Sequence, residues 1–278
     1  MNTALDQRDR LQRSVTLGMP QLCARGLSES WLLKEAGDLH WQALARAHGQ
    51  RPGDLRDAAG RRLYAAFTQV HLRQARLDAA HEDEPLAGTA RWRPVGRSQA
   101  YTLQRWQGPR GLVAELEMLS VFIARTREGD NRSVVRSALA HPPPQGLEPS
   151  LAPLAQASHD AARAARAGAW AARFEPPPET LEWRCRPCPL TDFNGAGLLY
   201  FASFQALADR ALWDWGLSPD GHHTLERQLV FHGNVNPGET VRVRWHGQAR
   251  AGRGRWTWLQ VSAEADGRAL ADIATWQG

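Results

Sequence analysis

The residues best suited to chemistry lie in residues 191–213, where a polar loop containing glycine leads directly into an apolar segment. Asp192 and Asn194 supply oxygen and amide groups, and Gly195 and Gly197 allow the backbone to approach a ligand closely. The apolar residues that follow recur at helical spacing, which predicts a helix capped by Asp192 or Asn194. Free N–H groups at a helix start favour an oxygen that is gaining negative charge. We therefore expect this loop to bind such an oxygen.

The chain contains this layout twice. Gly26 and Leu27 correspond to Gly197 and Leu198, and a first helix is predicted from Leu27 to Arg46. Segments with β-type alternation follow each predicted helix, at 63–72, 88–95, 98–106 and 112–125, and again at 225–235, 240–249, 254–264 and 269–276. One helix followed by several strands is not the alternating pattern of a parallel sheet. The sequence predicts an α+β fold in which an antiparallel sheet wraps around one apolar helix, twice: a double hot-dog fold.

Composition divides the chain into four parts. Residues 1–13 are expected to be a flexible leader and residues 14–136 the first hot-dog unit. Residues 137–180, rich in proline and alanine, are predicted to be a linker. Residues 181–278 are expected to form the second unit.

The charge pattern argues against nucleic acid as a partner. The net charge is +5, but Lys34 is the only lysine and the arginines are scattered among acids and apolar residues. A moderately positive field suits an anionic ligand, such as a phosphopantetheine thioester or an acidic carrier protein. No apolar run approaches the roughly 20 residues that span a bilayer, so no membrane association and a cytoplasmic location are expected.

The three cysteines, Cys23, Cys185 and Cys188, do not form the framework of a disulfide-rich domain. Cys185 and Cys188 have the CxxC spacing of a redox or metal motif, but there is no second such pair to complete a zinc site, and prolines flank Cys188. We expect two reduced cysteines, no metal and no cofactor other than a coenzyme A thioester as substrate.

Several other polar residues have structural interpretations. Ser28 and Glu29 fit a helix cap with a compensating charge. Asp209 and Arg210 suggest an ion pair. His40, His71 and His232 are candidate general bases, and none of them has the spacing of a helical metal pair.

The segments 26–41 and 192–201 together resemble those of the bifunctional acyltransferase/decarboxylase family of polyketide biosynthesis, known from leinamycin biosynthesis. The resemblance implies a double hot-dog enzyme that decarboxylates methylmalonyl-CoA and delivers the propionyl group to the phosphopantetheine arm of an acyl carrier protein. The family's acylated tyrosine lies in a Gly-Arg-x-x-Tyr-x-x-Phe context. The stretch Gly60 to Phe67 matches that context, so the resemblance assigns the role to Tyr64.

Decarboxylation of a malonyl thioester leaves an enolate, whose charge collects on the thioester oxygen. We expect Asn194 to be catalytic with Tyr64, and the backbone of Gly195, Ala196 and Gly197, with Asp192, to bind the substrate. Two alternatives stay open. A thioesterase or dehydratase on the same scaffold would use Asp192 as its carboxylate, and a non-catalytic protein would bind the acylated carrier without turnover.

Overall fold

The computed structural model describes residues 10–141, 149–218, 223–252 and 254–278. The chain forms two compact units, and neither is one continuous stretch of sequence. The first contains the residues up to 124 together with 135–161, and the second contains 125–134 together with 162–278. Within the described ranges, no helix is long and apolar enough to cross a membrane.

The first unit is a five-stranded antiparallel sheet packed on one long helix. Its elements are β1 (Arg10–Thr16), β2 (Leu22–Cys23), β3 (Gly26–Leu27), α1 (Glu29–Ala47), β4 (Tyr64–Arg73), β5 (Pro85–Val95), β6 (Gln99–Gly108), β7 (Gly111–Arg125) and β8 (Val134–Arg136). The strand order is β1-β5-β6-β7-β4, β8 pairs with β7, and β2 pairs with β3. The five main strands bury α1 on one face of the sheet.

The second unit repeats this plan. After helix α2 (Ala152–Arg166) it contains β9 (Glu182–Cys185), α3 (Phe201–Asp214), β10 (Thr224–Phe231), β11 (Val241–Ala251), β12 (Gly254–Ala263) and β13 (Ala269–Gln277). The strand order is β10-β13-β12-β11-β9. In both units the four strands after the helix therefore lie in the order second, third, fourth, first, and a strand from before the helix pairs with the second. The predicted duplication is present in the topology.

Each helix forms because an apolar face can be buried against its own sheet. In α1 the buried residues include Leu32, Leu33, Ala36, Leu39 and Leu44. Trp106 of β6, which is fully buried, meets Trp31 edge to face at a centroid distance of 6.5 Å. Burial of an aromatic side chain of this size contributes about 2–3 kcal/mol, so the helix is held by its packing more than by helix propensity.

In the second unit most residues of α3 are buried, and the exposed Arg210, Trp213 and Asp214 lie on one face. Ala202, Phe204, Leu207, Ala208 and Ala211 are all buried. A second cluster includes residues from the end of α2 and from the segment after it; its members are Ala165, Trp170, Phe174, Val230, Trp256 and Ala274. Residues 162–174, expected in the linker, thus pack within the second unit.

The first thirteen residues are not all a leader. Residues 10–13 belong to β1, whose backbone pairs with β5. Arg13 also forms ion pairs with Glu35 at 2.7 Å and Asp38 at 2.9 Å on α1. Arg13 interrupts the apolar alternation of this strand, so sequence periodicity does not predict the strand. The other residues of the expected leader, 1–9, lie outside the described residues.

Candidate active site

The two residues expected to be catalytic lie in different units. Tyr64 is the first residue of β4 in the first unit, where it is half-buried and the Arg62 guanidinium carbon lies 5.3 Å from its ring centroid. Asn194 lies in the second unit, in the loop before α3. The expected meeting of the phenol with this loop stays a prediction.

The loop around Asn194 is a tight hairpin turn. The Gly197 N–H donates to the Asn194 carbonyl at 2.8 Å, and the Asn194 N–H donates to the Leu198 carbonyl at 2.9 Å. Gly197 has a φ of +68°, a conformation that glycine adopts without the strain of a Cβ atom. One pair further out, the Tyr200 N–H donates to the Asp192 carbonyl at 2.8 Å. The chain is thus closed on itself before the helix begins.

The expectation that Asp192 or Asn194 caps α3 is wrong. The helix begins at Phe201, and its N-cap residue, Tyr200, makes no side-chain capping bond. The Asp192 carboxylate instead accepts the Cys188 N–H at 2.7 Å, and the side chain of Asn194 serves its own turn. The hairpin takes up the residues that were expected to form the first turn of the helix.

The side chain of Asn194 has a fixed orientation. Its Oδ1 accepts the N–H groups of Ala196 at 3.0 Å and Leu198 at 3.1 Å. Two donors on one atom identify that atom as the oxygen, so the position of the amide nitrogen, Nδ2, is also fixed. This nitrogen donates to no residue that the structure describes.

This geometry reduces the set of backbone donors that the sequence suggested. The N–H groups of Asn194, Ala196 and Gly197 are all engaged within the turn. The Gly195 N–H has no acceptor among the described residues, and Gly195 is exposed. The donors left for a ligand oxygen are therefore the Gly195 N–H and the Nδ2 group of Asn194.

Three side chains that the sequence analysis did not single out hold the turn from outside. Arg125 donates to the Ala196 carbonyl. Asn131, which is only 2% exposed, donates to the Gly197 carbonyl at 2.7 Å. Asn234 accepts the Leu199 N–H and donates to the Leu199 carbonyl, both at 2.9 Å. All three are assigned to the second unit together with the turn, although Arg125 is also the last residue of β7.

Cys185 and Cys188 are free thiols. Hydrogen bonds from the Leu190 backbone and the Thr191 side chain lower the pKa of the exposed Cys188, whereas burial raises the pKa of Cys185. Both Arg186 and Cys188 precede a proline, and residues in that position favour extended backbone. Across the described ranges, no cluster of three His, Cys, Asp or Glu residues could hold a metal.

Two of the candidate general bases, His40 and His232, have ring nitrogens bonded to other side chains. His40 is completely buried, and its ring nitrogens lie 2.8 Å from the hydroxyls of Thr102 and Ser120. Burial lowers its pKa to about 3, so it is neutral and closed off from solvent. His232 contacts Asp272 at 2.7 Å. Burial opposes ionisation of Asp272, but its hydrogen bonds, with that of His232 first, lower its pKa overall.

The capping and ion-pair expectations have different outcomes. Ser28 caps α1, accepting the Trp31 N–H at 3.3 Å, as predicted. The expected pair of Asp209 with Arg210 is wrong, because Asp209 pairs with Arg227 of β10 at 2.8 Å. Neighbours on a helix point in different directions, whereas Arg227 faces Asp209 from the sheet.

No family model and no curated protein sequence matches this chain. Solved structures do. A structure described as an oleoyl thioesterase from Lactobacillus plantarum has a TM-score of 0.64 at 12% identity, covering 96% of this chain and 95% of that one. The 12:0-ACP thioesterase of Umbellularia californica has a TM-score of 0.61 at 12% identity, covering 96% of both chains. An acyl-ACP thioesterase of Bacteroides thetaiotaomicron has a TM-score of 0.60 at 8% identity, covering 98% and 99%. The chain has the double hot-dog fold.

Proposed function

We propose that this protein is an enzyme that binds the carbonyl group of an acyl thioester, carried by coenzyme A or by an acyl carrier protein, at the Asn194 turn. The observation behind this proposal is the pair of donors that the turn leaves unused, the Gly195 N–H and the Asn194 Nδ2 group. They belong to adjacent residues of a turn that is fixed by its own hydrogen bonds and by those from Arg125 and Asn131.

Such donors act where negative charge develops. When a nucleophile attacks a thioester, or when a malonyl thioester loses carbon dioxide, electrons move onto the carbonyl oxygen. Donors held in place before the reaction need no reorganisation as this charge appears, and one of them typically contributes about 3 kcal/mol to catalysis. The turn meets this requirement because each of its peptide groups and the Asn194 side chain already have their positions fixed by hydrogen bonds.

Hydrolysis of the thioester is the first candidate reaction. The three solved structures described above are thioesterases by name, and a carboxylate, Asp192, lies two residues before Asn194. One of its oxygens, Oδ2, accepts the Cys188 N–H. We assign the other oxygen to orient a water molecule, which adds to the carbonyl carbon as the thiol of coenzyme A or phosphopantetheine leaves with a proton.

Decarboxylation with acyl transfer is the second candidate. The motif from Gly60 to Phe67 favours it, because the resemblance assigns Tyr64 as the residue that is acylated. Methylmalonyl-CoA would lose carbon dioxide, and the enolate would take a proton to give the propionyl thioester. The propionyl group would pass to the Tyr64 oxygen as coenzyme A thiol leaves, and then to the thiol of the carrier's phosphopantetheine. The same two donors at the turn would serve the enolate oxygen.

One experiment separates these reactions from simple binding. The protein is incubated with methylmalonyl-CoA and a phosphopantetheinylated carrier, and separately with saturated acyl-CoAs of different chain length, and the products are measured by mass spectrometry. Free acid with free thiol supports hydrolysis, and a propionyl carrier supports decarboxylative transfer. An unchanged thioester in every incubation contradicts both enzyme proposals and leaves a non-catalytic acyl-carrier-binding protein.

A variant tests the tyrosine separately. Tyr64→Phe removes the phenolic oxygen and keeps the ring. It is expected to abolish any acyl-enzyme and any propionyl carrier, and to leave hydrolysis intact if hydrolysis depends on Asp192. Transfer that persists in this variant would rule out the nucleophilic role of Tyr64.

A further inference from the structure

We propose that Arg125 and Asn131 are positioning residues that orient and polarise the two donors of the Asn194 turn, each through a chain of hydrogen bonds that passes through the peptide groups of the turn. The catalytic part of this inference rests on the proposed function. The polarisation itself can be tested without a substrate.

The first chain begins at a charge. The Arg125 guanidinium donates to the carbonyl of Ala196. The N–H of that same peptide group belongs to Gly197, and it donates to the Asn194 carbonyl at 2.8 Å. The N–H of the Asn194 peptide group is that of Gly195. Arg125 is therefore connected through two peptide groups to the first available donor.

The second chain begins at a buried amide. Asn131 donates through Nδ2 to the carbonyl of Gly197 at 2.7 Å. The N–H of that peptide group belongs to Leu198, and it donates to Asn194 Oδ1 at 3.1 Å. The carboxamide of Asn194 carries the second available donor on its other end. Each chain thus ends at a different one of the two donors.

Hydrogen bonds that share a peptide group strengthen one another. A donor on the carbonyl oxygen draws electrons from the peptide nitrogen and makes its N–H a better donor, by roughly 10–30% per bond in condensed phases. Arginine is charged at every accessible pH, and charge-assisted bonds are about twice as strong as neutral ones. The effect of Arg125 on the Gly195 N–H should therefore exceed that of a neutral donor.

Asn131 is itself fixed by further hydrogen bonds. Its Nδ2 also donates to the Val235 carbonyl at 2.8 Å, and its Oδ1 accepts from Arg125 Nη2 at 2.5 Å. Its backbone N–H donates to Asn236 Oδ1 at 2.7 Å. The two positioning residues are thus bonded to each other, and a change in one is expected to affect both chains.

The sequence provides a direct probe of the first chain. Asn194–Gly195 is the only Asn-Gly dipeptide in the protein, so labelling asparagine with ¹³C at its carbonyl and glycine with ¹⁵N isolates the Gly195 N–H as one NMR signal. Arg125→Gln keeps a donor but removes the charge, and should move this proton upfield. Arg125→Lys, which keeps the charge, should move it less. An unmoved signal in folded Arg125→Gln overturns the polarisation.

The matched control is Arg132→Gln. Arg132 lies in the same segment but pairs with Glu239 and makes no contact with the turn among the described residues. Its loss should leave the Gly195 signal unchanged. If the Gly195 signal shifts equally in this control, the effect comes from the segment as a whole, and the proposed chain of hydrogen bonds from Arg125 is contradicted. Thermal unfolding of each variant shows whether it is folded.

The catalytic part is read from kinetics on the substrate that the wild-type protein turns over. Arg125→Gln should lower kcat by about tenfold, a fraction of the loss expected for an entire oxyanion donor, with little change in KM. A shifted Gly195 signal with unchanged kcat contradicts the catalytic role. If the wild-type protein turns over no thioester, the proposed function fails, and the NMR result still decides the polarisation.

Discussion

Asn194→Asp is the most informative single change at the proposed site. The side chain of Asn194 has two ends with different tasks: Oδ1 accepts two N–H groups of the turn, and Nδ2 is a donor for the substrate. Aspartate keeps an acceptor in the place of Oδ1 and replaces the donor by an oxygen of nearly the same size. The variant therefore removes the proposed chemistry and retains the structure of the turn. Alanine would remove both, which makes it the poorer test.

The magnitude follows from the loss of one oxyanion donor, about 2.7–4 kcal/mol of transition-state stabilisation, or about a 10²–10³-fold decrease in kcat. The negative charge of the aspartate would add repulsion to the developing oxyanion and move the loss towards the upper end. We expect KM and the unfolding temperature to change little.

The assay measures thiol release from the acyl-CoA that the wild-type protein turns over best. Gln107→Glu makes the same amide-to-acid change at an exposed position of β6, and it should behave as wild type. If Asn194→Asp retains activity within about fivefold of wild type, its Nδ2 does not bind the oxyanion, and the proposed site is wrong.

Two further predictions concern stability in the first unit. His40 is neutral in the folded protein because burial lowers its pKa to about 3, whereas its pKa in the unfolded chain is near 6.5. The unfolded chain binds more protons between these values, so stability falls as the pH drops below about 6.5, by at most about 1.4 kcal/mol per pH unit. His40→Gln should remove this part of the slope in urea titrations at several pH values, and an unchanged slope would contradict the burial argument. Gly26 has a φ of +99°, and a Cβ atom there would lie 2.4 Å from the Leu77 carbonyl oxygen. Gly26→Ala should therefore cost more than about 3 kcal/mol, whereas Gly49→Ala, at a positive φ in open space, should cost about 1–2 kcal/mol; equal urea midpoints for the two variants would refute the steric reason.

Much of the fold follows from sequence periodicity. The eight main strands and α1 lie within a few residues of their predicted positions, because alternating or helical burial of apolar side chains decides both. The exception, β1, carries Arg13 at a half-buried position, where ion pairs with α1 replace apolar contacts. Propensity arguments do not detect a charge that is neutralised by residues elsewhere in the chain.

The candidate site was predictable only in part. The residues of the turn were identified, since asparagine and glycine in a polar loop are local signals. The sequence did not show which N–H groups of the turn are available to a ligand. The Asn194 side chain bonds to its own backbone, and such bonds compete with helix formation. Arg125 and Asn131 lie 71 and 66 positions away from the carbonyls that they contact. Nothing in the local sequence distinguishes them from other polar residues at or after the end of a strand.

The two halves of the chain share a topology, and in the second half the Gly195 N–H has no acceptor among the described residues. In the first half the equivalent glycine, Gly26, lies against the backbone at Leu77, and Ser28 already fills the start of its helix. A symmetrical dimer of single hot-dog subunits would have to carry two identical sites, whereas a fused pair is free to let one copy diverge. We therefore expect saturation at one thioester analogue per polypeptide, bound at the Asn194 turn.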